Sequence, residues 1–349
     1  MKRLVVHVGP PKTATTYIQQ ALYSNAALLA AYGVYLPQTG RLELSPESVC
    51  HHHLAWELMG SPRFRQEIGG WGALAAELAS IDADTVLVSS ELLSPGTLFP
   101  RGIGEALQQR LLSIGCPVTV LYVVRDQLSS MNSAYGQEVK LLARVQDFAE
   151  HASGALERGD ADLERQTARW YESPDVDFVA IPFPALVDVD PLVALLDAAR
   201  IDVPTERLVT SGEPSNITLG PGAVAAFRLL RHYLEGLNPA VSHDDMAVRQ
   251  LHRVAARAAK AAGWCEEPFW GWTPESAAEA VAQLAESNER FAQAAWGTPW
   301  PLTMPVDRPQ AQVSLLDLRG RGLPKVQDFV VAMGKRYIGL LHDDEAASR

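Results

Sequence analysis

Leu4-Val5-Val6-His7-Val8-Gly9-Pro10-Pro11-Lys12-Thr13-Ala14-Thr15-Thr16 is the stretch on which the reading of this 349-residue chain turns. Its first five residues are a short apolar run that stops at a glycine and two prolines, the pattern of a strand buried on both faces of a parallel sheet. Beyond it Tyr17, Ile18, Ala21, Leu22, Leu28 and Leu29 return at helical spacing, with Thr15 or Thr16 placed to cap the helix start. The order is strand, loop, helix. In that order backbone N–H groups and the positive end of the helix converge on the loop, so a phosphate or sulfate is favoured there. Lys12 adds a mobile positive charge, and the hydroxyls of Thr13, Thr15 and Thr16 add donors.

The same alternation continues outward. Thr85–Ser89 and Val118–Val124 read as strands with a helix from about Gly104 to Ile114 between them, and Asp177–Ile181 reads as a fourth strand after a helical pattern over 160–171. Strands alternating with helices predict a parallel sheet with right-handed crossovers. After Pro191 the character changes to Ala-rich helical stretches over Pro221–Leu237, 244–262 and 274–295. The expected fold is α/β, a three-layer P-loop-type parallel sheet flanked by helices, in a single domain over 1–349. Residues 1–190 would form the nucleotide-binding core and 191–349 a mostly helical acceptor or lid portion, with His342–Arg349 a frayed tail.

Composition narrows the function classes. Thirty Lys and Arg stand against 41 Asp and Glu, a net charge of −11, which argues against nucleic-acid binding through bulk charge. Cys50, Cys116 and Cys265 are odd in number, widely spaced and outside any CxxC pattern, so they read as reduced thiols and not as a disulfide framework or zinc site. No run of about 18 apolar residues predicts a membrane span. The charged start at Lys2-Arg3 lacks the long apolar core of a signal peptide, so a cytoplasmic location is expected.

Lys12 precedes the helix too early for a Walker A loop, GxxxxGKS/T, and no glycine stands before it. Pro11-Lys12-Thr13-Ala14-Thr15-Thr16 resembles instead the 5'-phosphosulfate loop of the PAPS-dependent sulfotransferases, written PKTGTT or PKSGTT, with Ala14 in place of the commoner glycine. The third strand ends at Arg125, and Ser133 follows eight positions later with Tyr135 beyond it, which is similar to the same family's 3'-phosphate site. The resemblance covers about the first 140 residues and is diffuse afterwards, where Glu286-Ser287-Asn288-Glu289-Arg290 and Asn216-Ile217-Thr218-Leu219 add weak likenesses. The Arg-Lys-Gly signature on the adenosine side is not evident. Tyr17 stands where many relatives have a Trp near adenine, or is a core aromatic.

The resemblance implies binding of 3'-phosphoadenosine 5'-phosphosulfate (PAPS) and in-line transfer of its sulfuryl group to a hydroxyl or amine, leaving 3',5'-phosphoadenosine (PAP), without a metal. Pro11, Lys12, Thr13, Ala14, Thr15, Thr16, Arg125 and Ser133 would hold the donor, and Lys12 would stabilise the leaving phosphate. An acceptor needs a general base. Glu91, after Val88-Ser89-Ser90, matches the place of the catalytic His of some relatives, and the alternative is one of His51, His52 and His53, read as partly exposed residues at a helix start. His7, inside the first strand, reads as structural. Trp264, Trp270, Trp272, Trp296 and Trp300 serve core packing or line an apolar acceptor site. The expected acceptor is a small molecule, lipid headgroup or uncharged sugar. A kinase or nucleoside-triphosphate hydrolase, or a noncatalytic nucleotide-binding protein, are the competing readings, and the oligomeric state is not legible.

Overall fold

The computed structural model describes residues 2–10, 12–41, 49–94, 103–210, 217–312 and 323–347. Along the chain lie β1 (Arg3–His7), α1 (Thr15–Ser24), α2 (Ala26–Ala31), β2 (Val34–Tyr35), α3 (His52–Leu58), α4 (Trp71–Ser80), β3 (Thr85–Ser89), α5 (Ile103–Ser113), β4 (Val118–Val124) and α6 (Gln127–Lys140). There follow α7 (Phe148–Arg158), α8 (Leu163–Tyr171), β5 (Val176–Pro182), α9 (Phe183–Val187), α10 (Pro191–Ala198), α11 (Pro221–Leu237), α12 (Met246–Ala261), α13 (Pro274–Trp296) and α14 (Leu323–Ala347). The chain forms two compact units, 1–127 with 159–214 and 283–303, and 128–158 with 215–282 and 304–349.

The first unit is built on a five-stranded, all-parallel sheet in the order β2-β3-β1-β4-β5. Successive strand side chains point to opposite faces, so each strand feeds two cores. Leu4, Val6, Val86, Val88, Val120 and Tyr122 meet Leu54 of α3, Trp71 and Leu74 of α4, Leu107 of α5, Trp170 of α8 and Phe291 of α13. Val5, Leu87, Leu121, Val123 and Ile181 meet Ile18 and Leu22 of α1, Leu29 of α2, and Leu192 and Leu195 of α10. Helices therefore cover both faces, as the continuous apolar strand runs require. Each fully buried side chain of this kind stabilises the unit by about 1.5–3 kcal/mol.

From β1 the chain turns toward the β2 edge and from β4 toward the β5 edge, and in open α/β sheets ligands bind beyond the carboxyl ends of such neighbouring strands. The second unit is helical, with α14 packed on α11 and α12. Two local expectations change and one strand is added. Helix α14 continues through Ala347, where a frayed tail from His342 was expected. The two-residue β2 joins the sheet beside β3. The cap position of α1 is Ala14, not Thr15 or Thr16, and no side chain caps it. Among the described residues no helix is long and apolar enough to cross a membrane.

Candidate functional site

The loop between β1 and α1 is shaped by its backbone. Lys12 has φ +69° and Ala14 φ +61°, two left-handed residues with a side chain within three positions. Each such residue costs about 1–2 kcal/mol, so the rest of the loop must enforce it. Thr13 supplies part of that constraint, since its buried hydroxyl donates to the Pro10 carbonyl at 2.6 Å. Thr13 therefore closes the loop with its hydroxyl, where the sequence suggested a donor to an anion. Gly9 permits a close approach: a Cβ there would stand 2.8 Å from His7 Nε2 and 3.0 Å from both Thr13 Oγ1 and Thr15 Cγ2. The first intrahelical bond of α1 runs from the Ile18 N–H to the Ala14 carbonyl at 3.0 Å, placing the backbone of Thr15 and Thr16 in the opening turn. Lys12 and Thr16 are half-buried, Thr15 is buried, and Pro11 lies outside the described residues.

Beside the loop, the end of β3 is built from side chains. In register His7 lies opposite Ser89, and His7 Nδ1 is 2.9 Å from Ser89 Oγ. His7 Nε2 is buried and has no hydrogen-bond partner. Burial holds the ring at about 4, against a weaker upward pull from Glu91. Glu91 opens a short 3-10 helix, Glu91–Leu93, directly after Ser90. Gln19 of α1 donates to Glu91 Oε2 at 2.8 Å, tying the loop's helix to this corner. Burial works to raise the Glu91 carboxyl, but the charge and hydrogen bond of His52 and the Gln19 amide outweigh it and hold the group at about 2.

The three consecutive histidines take three different roles. His51 is fully buried: its Nδ1 accepts from the Ser89 N–H at 3.1 Å and its Nε2 faces the Pro37 carbonyl at 3.1 Å. Burial first, then the nearby Arg41 charge, hold it at about 4. His53 is also buried, with Nδ1 accepting from the Arg65 N–H at 3.2 Å and its ring edge-on to Trp56. These two correct the expectation of partly exposed residues: the helix start packs against β3. Only His52 turns to Glu91, with Nε2 at 3.4 Å from Oε1 and Nδ1 at 3.0 Å from Ser90 Oγ. Cys50, read from sequence as an ordinary thiol, places Sγ 2.9 Å from the same Nε2. Burial pushes this thiol up, and the Glu91 charge adds to the effect.

Arg125 follows the last residue of β4 and donates to the Lys12 carbonyl at 3.0 Å, with its guanidinium 5.1 Å from the Phe183 ring centroid. It thereby holds the loop from the next strand. Ser133 lies on α6 in the second unit, half-buried. Tyr17 donates its hydroxyl to Asp190, the N-cap of α10, so it joins two helices of one layer. Asn288 of the 286–290 segment pairs with Gln127, and Arg290 bonds Glu164 at 2.7 Å. Asn216 lies outside the described residues, while Ile217 and Leu219 accept from Lys140 and from the Phe269 N–H. The five tryptophans divide: Trp296 and Trp300 pack on Phe291 in the first unit, and the buried Trp270 and Trp272 belong to the second with Trp264.

No family model, curated protein or solved structure matches the chain. The Gly9–Thr16 loop, Glu91 and Arg125 converge, since they follow three adjacent strands of one parallel sheet at the same edge. Sequence reasoning missed Cys50, Gln19 and Ser90. Cys50 and His52 stand two apart, a spacing too common to signal anything, and their partner Glu91 comes 39 positions after His52.

Proposed function

We propose that the chain is a sulfotransferase that takes the sulfuryl group of PAPS onto a hydroxyl or amine of a small-molecule, lipid or sugar acceptor. The observation that carries this reading is the loop itself, where Lys12 and Ala14 are both left-handed at the opening of α1 and Arg125 is bound to the Lys12 carbonyl. Alternating left- and right-handed residues turn consecutive N–H groups toward one point, which suits a phosphosulfate anion. A glycine at position 14, as in the family motif, would adopt this conformation at no steric cost, so the likeness extends to the backbone demand of the motif.

When bound, PAPS supplies a sulfuryl group on a phosphate leaving group. Lys12 and the opening amides of α1 offer positive potential for the charge that grows as that phosphate departs. In its neutral form, with the Nδ1 proton placed on the Ser90 Oγ side, His52 takes the acceptor's proton at Nε2, and the imidazolium so formed is the state whose charge and hydrogen bond lower the neighbouring Glu91. Beside that imidazolium the Glu91 carboxyl is held at about 2, so it serves as the negative partner of the protonated ring and not as the base. No step in this scheme requires a metal.

Thermal unfolding of the full chain with PAP, and separately with ATP and Mg²⁺, tests the donor assignment, because a ligand of the native state raises its apparent stability. Stabilisation by PAP that weakens in Lys12→Ala and in Arg125→Ala is the expected result. Stabilisation by ATP and Mg²⁺ alone would overturn the reading in favour of a kinase or hydrolase.

A further inference from the structure

Cys50 Sγ, His52 Nε2 and one carboxylate oxygen of Glu91 all lie within 4.8 Å of one another. We propose that these three atoms form a binding site for a divalent transition ion of the zinc class, with a fourth position open. The donor set is mixed thiolate, imidazole and carboxylate, which selects zinc-like ions over Mg²⁺ and Ca²⁺, whose sites are made of oxygen. Its charge closes: one thiolate and one carboxylate balance a dication, and the imidazole stays neutral. A neutral assembly avoids the penalty of leaving net charge in a largely buried site.

The spacing fits. Tetrahedral coordination at ordinary zinc–ligand lengths puts nitrogen and oxygen ligands about 3.3 Å apart. The His52 Nε2 to Glu91 Oε1 distance is 3.4 Å. The 2.9 Å contact of Cys50 Sγ with Nε2 would open by about 0.7 Å as the ion replaces the thiol proton. The supporting contacts already stand in place. Ser90 Oγ is 3.0 Å from His52 Nδ1, fixing the ring with Nε2 toward the cluster, and Gln19 holds the far oxygen of Glu91 at 2.8 Å. His51 clamps the two ligand-bearing segments together, its backbone N–H donating to the Ser89 carbonyl at 2.8 Å while its ring accepts from the Ser89 N–H.

Binding would proceed with loss of the Cys50 thiol proton to solvent, one proton for each ion bound. The bound ion would occupy His52 Nε2, so it would exclude the proton abstraction assigned to that atom and act as a brake on transfer.

Titration of the metal-free full chain with Co²⁺, read by absorbance in the absence of nucleotide, tests the site independently of the donor assignment. The expected result is one ion per chain, a thiolate-to-cobalt charge-transfer band in the near ultraviolet, release of one proton, and loss of the band on adding Zn²⁺. The band should vanish in Cys50→Ser, persist in Cys116→Ser and Cys265→Ser, and require about 10–100-fold more Co²⁺ in Ser90→Ala. The absence of a charge-transfer band from the unsubstituted chain, or of the accompanying proton release, would overturn the proposal. So would a band that survives in Cys50→Ser, or an affinity unmoved by Glu91→Gln. The proton count needs no variant, so a misfolded Cys50→Ser would not rescue the idea.

Discussion

The loop after β1 and the corner after β3 stand at the same edge of one sheet, on neighbouring strands, yet they are made of different materials. The loop is a backbone device: Lys12 and Ala14 hold left-handed conformations, Thr13 is folded onto Pro10, and Gly9 is small because His7 is close. The corner is a side-chain device, in which His7, Gln19, Cys50, His51, His52, Ser89, Ser90 and Glu91 join through rings, hydroxyls, a thiol and a carboxylate. A backbone device presents fixed dipoles that pH leaves unchanged. A side-chain device stores protons and therefore responds to pH. Recognition of an anion suits the first, and proton transfer or metal binding suits the second.

The largest expected effect breaks the loop by charge. Lys12→Ala should lower turnover with any accepted acceptor by on the order of a hundredfold or more, with little change in folding, since donors aimed at developing charge are worth about 2.7–4 kcal/mol. Steady-state kinetics beside a melting curve separates the two. Next in size is Gly9→Ala, whose methyl would meet His7, Thr13 and Thr15 at 2.8–3.0 Å. Overpacking of this kind costs about 1–3 kcal/mol, so denaturant unfolding should show a lower midpoint at unchanged slope, and the PAP response should weaken.

Acid titration sharpens the comparison from the corner's side. His7 and His51 are held at about 4 in the folded chain against 6.5 unfolded, so between these values the unfolded state binds more protons. Stability therefore falls as pH falls from about 6.5 toward 4. Glu91, at about 2 folded, extends the loss below its ordinary value of 4.5. Removing one of these protons with His51→Asn should make the stability slope between pH 6.5 and 4 shallower by up to about 1.4 kcal/mol per pH unit. A slope identical to that of the unsubstituted chain would contradict the buried neutral ring. Smallest is Ala14→Gly, which relieves a left-handed alanine but adds freedom to the unfolded chain, for a net gain of at most about 1 kcal/mol by chemical denaturation.

The parallel sheet was legible because β1, β3, β4 and β5 are apolar runs bounded by turn residues, a signal that survives without tertiary context. Strand β2 was not, since Val34-Tyr35 has no periodicity and becomes a strand only by pairing with Thr85 and Val86. Of the candidate site, the loop and Glu91 stand out in the sequence because motif and strand end coincide. The histidines could not be sorted, because adjacent residues look alike in sequence and differ only in what β3, Pro37 and Trp56 present to each. The division into two units was equally hidden. Chain segments that leave and return, as 159–214 and 283–303 do, are joined by packing that no local pattern encodes.

The position of β1 in the sheet has a consequence for how the chain acquires its fold. Leu4 pairs with Val86 on one side and Val118 on the other, so the central strand completes its ladders only across 82 and 114 residues of sequence. Closing loops of that size costs entropy before any pairing repays it, which makes the central strand a late and slow partner. Refolding from denaturant should then populate species with helices formed and an unpaired, apolar β1, and these species should aggregate more readily than the native protein.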